Sequence, residues 1–232
     1  MNRTFHFILQ AKGGVGKSLH TYLRALAESN SHSLFVDVDS STKTSTRQLT
    51  FLGEDRLESI SLIDKRDVLV RDIFVGYVES LSESPFQEVF MDFGAPESEQ
   101  FPALIARDLD FKEWCDEVGF KAVFHIIMAA GGAYRACGEY LDKMAKVLAG
   151  QFEVTAWENI NTFKQYPELS QELAARCHVM GIAYKRFGDF DANSLLGIQI
   201  LDGIRSGFSL GRYQPGAKIT LKRELRENFG HE

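Results

Sequence analysis

The sequence lacks several features that mark other classes of protein. Its three cysteines, Cys115, Cys137 and Cys177, lie far apart with no C-x-x-C pair, and no H-E-x-x-H motif occurs among its six histidines. It therefore predicts neither a disulfide framework nor a zinc site. It has no run of about 18 apolar residues, the length that a membrane-spanning helix needs. The net charge of −6 gives no overall basic field for nucleic acid. We expect reduced, buried thiols and a cytoplasmic protein without a signal peptide.

A glycine-rich stretch near the N-terminus is the most informative part of the chain. Residues 11–18 read Ala-Lys-Gly-Gly-Val-Gly-Lys-Ser and match G-x-x-x-x-G-K-[ST], with Ala11 at the first position. They lie between an apolar run over residues 5–9 and a helix-like stretch from Lys17. Glycines let successive N–H groups turn towards an anion at a helix N-terminus. The pattern predicts an ATP-binding loop in which Lys17 reaches the phosphates and Ser18 ligates Mg²⁺. The predicted loop contacts are Gly13, Gly14, Val15, Gly16, Lys17 and Ser18.

Apolar runs and helical periodicity alternate along the rest of the chain. Strands are predicted over residues 4–10, 33–39, 59–64, 87–92, 121–128, 152–158 and 178–184, with helices between them, including 98–117 and 133–149. This alternation is typical of an α/β fold with a mostly parallel central sheet and helices on both faces. A length of 232 residues is compatible with a single domain over residues 1–232.

The two-lysine form of the loop, K-G-G-x-G-K-[ST], resembles the deviant Walker A box of the ParA/MinD family of ATPases. The resemblance implies a P-loop NTPase fold. It also implies that Lys12 reaches across a nucleotide-sandwiched homodimer to the partner's phosphates, so that ATP binding and dimerisation are coupled. Lys12 and Lys17 are then catalytic residues.

The same resemblance implies two acidic sites, and the sequence has aspartates at both places. The run over residues 33–39 ends in Asp37-Val38-Asp39, and the run over 88–93 contains Asp92 ahead of Gly94. The resemblance implies that Asp39 positions the attacking water, that Asp37 supports the phosphate and Mg²⁺ region, and that Asp92 holds Mg²⁺ through water. The switch segment that follows is Ser-Ser-Thr-Lys-Thr over residues 40–44 instead of the common Pro-Gln. Aspartates at strand ends are also common turn formers and helix caps, and that alternative stays open.

Recognition of the base is assigned to an asparagine. In ParA/MinD relatives a late strand delivers an Asn whose amide reads the adenine edge, and Asn159 at the end of the 152–158 strand matches best, with Asn161 as the alternative. An amide donates and accepts at once, which suits adenine. A simple turn role for Asn159 is equally compatible with the sequence.

The resemblance extends in order along most of the chain. Residues 9–14, 91–95, 130–133 and 157–159 are similar to the plasmid-encoded TraL/StbB-type branch of the superfamily. This implies a slow ATP-driven switch in plasmid stability, partition or conjugative transfer, with plasmid DNA or a DNA-bound adaptor protein as its partner.

The C-terminal segment has three interpretations. Lys218, Lys222 and Arg226 recur every four residues, and Glu224 and Glu227 interrupt that line. The segment is a packed helix with a solvated basic face, part of a DNA-binding surface, or a membrane-surface helix of the MinD kind. The alternatives to the plasmid role are accordingly a MinD-like membrane-associated positioning ATPase, an ATP-dependent ligase of the dethiobiotin-synthetase-like type, and a module that binds nucleotide without hydrolysing it.

Overall fold

The structure, a computed structural model, describes residues 3–28, 32–39 and 44–230. Within these residues seven strands form one sheet in the order β3-β2-β4-β1-β5-β6-β7, and every neighbouring pair is parallel. The prediction of a parallel α/β sheet is confirmed. The strands are β1 (Arg3–Leu9), β2 (Ser33–Val38), β3 (Leu57–Ser59), β4 (Glu88–Phe93), β5 (Phe120–Met128), β6 (Glu153–Asn159) and β7 (Ala183–Phe187).

Helices connect the strands and cover the sheet. They are α1 (Lys17–Ala27), α2 (Thr44–Gln48), α3 (Arg71–Ser80), α4 (Ala95–Ala103), α5 (Phe111–Val118), α6 (Tyr134–Leu148), α7 (Ile160–Phe163), α8 (Pro167–Met180), α9 (Leu195–Arg205) and α10 (Pro215–Phe229). In the described part of the chain, none of these helices has the length and apolar character needed to cross a membrane.

The central strand β1 shows how the sheet divides its side chains between two layers. Successive side chains of a strand point to opposite faces. The Phe7 ring packs on one face, 5.2 Å from Phe124 and 5.5 Å from Phe101 of α4. His6 points to the other face, where its ring stacks 4.3 Å from Phe90. The phenylalanine side chains therefore hold α4 on the sheet, each stabilising the fold by about 1.5–3 kcal/mol when fully buried.

Three predicted elements differ from the structure. The third strand covers Leu57–Ser59 rather than residues 59–64, and the predicted helix over 98–117 is two helices joined by a π-helical turn at Leu104–Asp108. The last strand covers Ala183–Phe187 rather than residues 178–184, because α8 continues to Met180. The three cysteines are free and buried, as expected for reduced thiols.

A chain of hydrogen bonds runs through the layer between the sheet and α1. Trp157 Nε1 donates to His125 Nδ1 at 2.9 Å, His125 Nε2 lies 2.9 Å from His6 Nδ1, and His6 Nε2 lies 2.6 Å from Glu88 Oε2. Because the indole only donates, His125 must accept at Nδ1 and donate from Nε2 to His6. The arrangement therefore requires His125 to be neutral.

We expect the free energy of unfolding to fall as the pH falls below about 6.5, the ordinary pKa of histidine. Burial, helped by the nearby charges of His6, His20, Arg24 and Lys185, holds the pKa of His125 well below that value. Below pH 6.5 the unfolded chain therefore binds a proton at His125 that the folded chain does not bind. The contribution of His125 to the free energy of unfolding is complete above the ordinary pKa and is lost as the pH falls towards the lowered pKa of the folded state. The loss for His125 is about 1.4 kcal/mol per pH unit.

Urea unfolding at pH 7.5 and 5.5 measures this effect. His125→Gln should remove about 1.4 kcal/mol of the difference between the two pH values. His178→Gln, at an exposed histidine of α8, should leave that difference unchanged. An unaltered pH dependence in the His125 variant would contradict the assignment.

Candidate nucleotide-binding site

The glycine-rich loop lies at the centre of the sheet, where the strand order reverses at β1. It follows β1, which pairs with β4 on one side and β5 on the other. Open α/β sheets bind ligands in the crevice beyond the carboxyl ends of the strands at such a switch point. The sequence-predicted loop therefore occupies the position at which this fold class places its ligand.

The backbone of the loop has the geometry that its glycines permit. Gly14 and Gly16 adopt positive φ angles of 73° and 107°, a region that disfavours residues with a Cβ. A Cβ at Gly16 would also lie 2.5 Å from Asn159 Nδ2. The loop runs directly into α1, whose N-cap Gly16 provides no side-chain capping hydrogen bond. The first N–H groups of α1 are thus oriented for an anionic ligand.

A cavity of about 490 Å³ opens above the loop, a size typical of small-molecule sites. It brings together the loop residues and two of the three predicted aspartates. Its lining residues are Gly13, Gly14, Val15, Gly16, Lys17, Ser18, Leu19, Asp39, Thr44, Gln48, Asp92, Phe93, Gly94, Ala95 and Pro96. Lys12, Asp37 and Asn159 were also predicted for the site, but they lie outside this lining.

Lys17 is held across the opening of the loop. Its Nζ donates to the carbonyl oxygen of Gln10 at 2.9 Å and lies 3.5 Å from that of Lys12. Burial lowers its pKa, while the charges of Asp92 and Asp39 act in the opposite direction. An ammonium group in this position can exchange carbonyl partners for phosphate oxygens of a bound nucleotide.

Asp92 and Ser18 form an oxygen-rich corner of the cavity. Ser18 Oγ donates to Asp92 Oδ2 at 2.9 Å. Burial raises the pKa of Asp92 to about 6, with hydrogen bonds from Ser45 and Ser18 and the charge of Lys17 opposing that rise. Among the described residues Asp92 Oδ1 has no hydrogen-bond partner although it is buried. A buried carboxylate oxygen without a partner beside a serine hydroxyl fits Mg²⁺, which prefers oxygen ligands.

Asp37 and Asp39 have different positions. Asp37 is paired with Asp92 in the β2–β4 register and is 1% exposed. Its Oδ2 accepts from the backbone N–H and the hydroxyl of Thr46, and its Oδ1 accepts from the N–H of Asp39. Asp39 itself lines the cavity, with Oδ1 3.1 Å from the place of a Cβ on Gly94. The Asp37 side chain is therefore buried next to the site, whereas the Asp39 side chain lies at the surface of the cavity, where a ligand could contact it. Of the predicted switch segment, residues 40–43 lie outside the described residues.

Lys12 does not line the cavity above the loop. It is exposed and lines a second cavity of about 290 Å³ with Glu99, Glu139, Tyr140 and Lys143 among its neighbours. Its side chain is therefore available to a molecule that approaches this face.

Gln10 fixes the backbone at the beginning of the loop. It is fully buried, its Nε2 donates to the Ile127 carbonyl at 2.8 Å, and its Oε1 accepts from the Lys12 N–H at 3.4 Å. Through Gln10, these bonds tie the backbone of Lys12 to the end of β5.

The two predicted base-reading asparagines donate to different backbone carbonyls, and only that of Asn159 belongs to the loop. Asn159 is 5% exposed, and its Nδ2 donates to the Val15 carbonyl at 2.9 Å. Its Oδ1 is buried with no hydrogen-bond partner in the described part of the chain. Asn161 Nδ2 donates to the Gly188 carbonyl at 2.8 Å. Asn159 thus supports the loop through its side-chain nitrogen.

The C-terminal helix packs on the body of the protein. Ala217, Leu221, Leu225 and Phe229 of α10 are buried, and the basic residues Lys222, Arg223 and Arg226 are exposed. The sequence suggested that Glu224 interrupts the basic face, but the structure shows that it does not. It is buried and accepts from the N–H groups of Gly188 and Asp189 at 2.6 and 2.9 Å.

Three residues of the site were not predicted. Ser45 and Thr46 bind the side chains of Asp92 and Asp37, and Gln10 ties the loop to β5. The available signals were the hydroxyl residues that follow Asp39 and a polar residue between an apolar strand and the loop. Neither signal identifies a partner residue unless the pairing of the strands in the fold is known.

The parallel sheet with a glycine-rich loop after its central strand β1 gives the chain a fold similar to that of MinD and of a plasmid partition protein. A chain of the MinC:MinD cell division protein complex from Aquifex aeolicus is similar over 99% of this chain and 97% of that one, with a TM-score of 0.58 and 14% identity. MinD from Aquifex aeolicus covers 99% and 98%, with a TM-score of 0.54 and 14% identity. A plasmid partition protein from Borrelia burgdorferi covers 96% and 100%, with a TM-score of 0.50 and 13% identity. No protein-family model and no curated protein sequence matches the chain.

Proposed function

We propose that this protein is an ATP-binding molecular switch that dimerises around ATP and hydrolyses it slowly. The observation that carries the proposal is that the two lysines of the loop line different cavities. Lys17 lines the cavity above the loop and donates to the Gln10 carbonyl, whereas Lys12 is exposed and lines a separate cavity. In this proposal Lys17 binds the subunit's own nucleotide, and Lys12 binds the nucleotide of a second subunit.

The residues around the cavity have distinct roles in this proposal. The N–H groups of Gly13, Gly14, Val15 and Gly16 hold phosphate oxygens, and Lys17 neutralises their charge. Asp39 orients the attacking water. Asp37, which accepts a hydrogen bond from the Asp39 N–H, supports the phosphate and Mg²⁺ region. Lys12 reaches the partner's phosphates, and Asn159 Oδ1 accepts from the adenine amino group. Positioned charges of this kind stabilise the charge that develops on the transferred phosphoryl group.

Ser18 and Asp92 are the residues that would hold Mg²⁺. The bound cation would neutralise phosphate charge and orient the β- and γ-phosphate oxygens. The raised pKa of Asp92 agrees with a carboxylate whose charge lacks a full counter-charge in the protein alone.

We place this switch in plasmid stability, partition or conjugative transfer, most like the TraL/StbB branch. The sequence resemblance over residues 9–14, 91–95, 130–133 and 157–159 supports that branch. Plasmid DNA or a DNA-bound adaptor is the expected partner of the ATP-bound dimer. The exposed Lys222, Arg223 and Arg226 give a chain of net charge −6 a local basic surface for it.

A MinD-like positioning ATPase is the second candidate. The similarity of the fold to the two MinD-containing structures favours it. The burial of Leu221, Leu225 and Phe229 in the core weighs against α10 as a membrane helix, because the apolar face that would enter a membrane is already covered.

The rate of ATP hydrolysis with different additions tests the proposal. We expect slow basal hydrolysis that rises at least about tenfold with plasmid DNA or its bound proteins. Stimulation by anionic vesicles would favour the MinD-like candidate, and stimulation only by a small carboxylic acid would favour a ligase. Binding of ATP without any hydrolysis would contradict the proposal. Lys17→Ala, prepared in parallel, measures contaminating ATPase.

A further inference from the structure

A further cavity, of about 520 Å³, lies between α1, the edge strand β7 and the end of α10. It shares no lining residue with the nucleotide cavity. Its charged lining residues are four cations and one carboxylate: Arg24, Lys185, Arg186, Arg226 and Glu227. Positive charge is therefore concentrated here, although the whole chain carries a net charge of −6.

Arg24 of α1 is the least exposed of the four cations. Its side chain is 15% exposed, and its guanidinium carbon lies 5.1 Å from the ring centroid of Phe229 and 5.9 Å from that of Trp157. In the described part of the chain its one ion pair is with Glu28, whose Oε1 is 3.6 Å from Arg24 Nη1. That distance is longer than a hydrogen bond.

The hydrogen-bonding capacity of Arg24 is also incompletely used. Its Nε is buried and has no hydrogen-bond partner among the described residues. A guanidinium taken out of water is costly unless an anion pairs with it at hydrogen-bond distance. The protein supplies only the distant carboxylate of Glu28 for this role, so a bound anion would complete the environment of Arg24.

Lys185 brings a second positive charge to the indole ring of Trp157. Its Nζ lies 5.5 Å from the ring centroid. Neither Lys185 nor Arg226 forms an ion pair within the described residues, whereas Arg186 pairs with the buried Glu158 at 3.0 Å. The like charges of Arg24 and Lys185 repel each other, and an anion bound between them offsets this repulsion.

The chemistry of the lining fits a phosphate group. Such a group carries about 1.5–2 negative charges at pH 7, and the planar guanidinium matches its oxygens. Because Arg24 is largely covered, the ligand has to enter the cavity, whose volume is typical of small-molecule sites. The backbone of a DNA duplex would instead meet exposed cations such as Lys222 and Arg223.

We propose that this cavity binds a small molecule carrying one or more phosphate groups, with Arg24 and Lys185 as its main ligands. The site is separate from the nucleotide loop and does not depend on the proposed function. Arg24 follows Lys17 by two turns of α1, about 10 Å along the helix axis.

Calorimetric titration with pyrophosphate tests the site. The full chain carries Lys17→Ala, so that binding at the nucleotide loop contributes little. Adding Arg24→Gln should weaken the affinity for pyrophosphate at least about tenfold, the scale of one charge-assisted hydrogen bond. Lys185→Gln, at an exposed position that cannot disturb the core, should weaken it at least about threefold. Lys146→Gln, which removes an exposed lysine of α6, controls for the change in net charge and should leave the affinity unchanged.

Two results would overturn the site: no binding of pyrophosphate to the Lys17→Ala protein, or equal affinities with and without the Arg24 and Lys185 substitutions. Vesicles of phosphatidylglycerol and a short DNA duplex are the remaining probes. Binding of either one that depends on Arg24, without binding of pyrophosphate, would exclude a small ligand. Absence of ATP hydrolysis in the unaltered protein would contradict the proposed function and not this site.

Discussion

Lys17→Ala should lower the affinity for ATP at least about a hundredfold, which corresponds to about 2.8 kcal/mol. The amino group lies at the opening of the loop, 2.9 Å from the Gln10 carbonyl, where it can meet two or three phosphate oxygens. Each charge-assisted hydrogen bond contributes about 1.5–3 kcal/mol. Alanine leaves the backbone cradle intact but removes the only cation that lines this cavity in the described part of the chain. Titration with a fluorescent ATP analogue measures the change.

Lys12→Ala is the matched control because it removes the other lysine of the same loop. Since Lys12 is exposed and lines a separate cavity, the monomer's affinity for ATP should change less than about threefold, the scale of an exposed charge. Equal losses in both variants would contradict separate roles for the two lysines. Circular dichroism confirms that each variant is folded.

Asp39→Ala should slow ATP hydrolysis by about 10²–10⁴-fold, the usual contribution of a group that positions or activates the attacking water. Asp39 lines the cavity close to Gly94. ATP affinity should change little, because a carboxylate at the water position does not hold the phosphates. Hydrolysis that stops while binding persists traps the ATP-bound dimer.

Asp55→Ala is the control for Asp39→Ala. Asp55 is an exposed carboxylate in a short 3₁₀ turn before β3 and should leave the rate unchanged. Single-turnover measurements with radiolabelled ATP separate the chemical step from release of product. A normal rate in the Asp39 variant would exclude Asp39 as the residue that orients water.

The sequence was sufficient to predict the parallel sheet with its covering helices, but it predicted the ends of individual helices and strands less well. Alternating apolar runs predicted a parallel sheet because buried parallel strands are apolar on both faces. The last strand was placed five residues too early, although Gly181, at a φ of 66°, is a typical helix-terminating residue. The predicted helix over 98–117 is interrupted after Pro102, and Asp110 caps the next helix by accepting from the Glu113 N–H. The glycine that ends one helix and the aspartate that caps another are local signals. In the prediction of the element ends, apolar periodicity outweighed both of them.

For the site, local motifs were more informative than isolated residues. The loop, Asp39 and Asp92 line one cavity. The contacts of Asp37 with α2 and of Asn159 with Val15 depend on which neighbours the fold brings to each strand end. Ser45 was missed for the same reason, because its partner Asp92 is 47 residues away and no spacing rule connects them.

The most direct test of the switch is the molar mass of Asp39→Ala in solution, measured by size-exclusion chromatography with light scattering. The account predicts a monomer with ADP, a dimer with ATP and Mg²⁺, and loss of that dimer in the Lys12→Ala, Asp39→Ala double variant. A mass that is the same with both nucleotides, or a dimer that persists without Lys12, would contradict it.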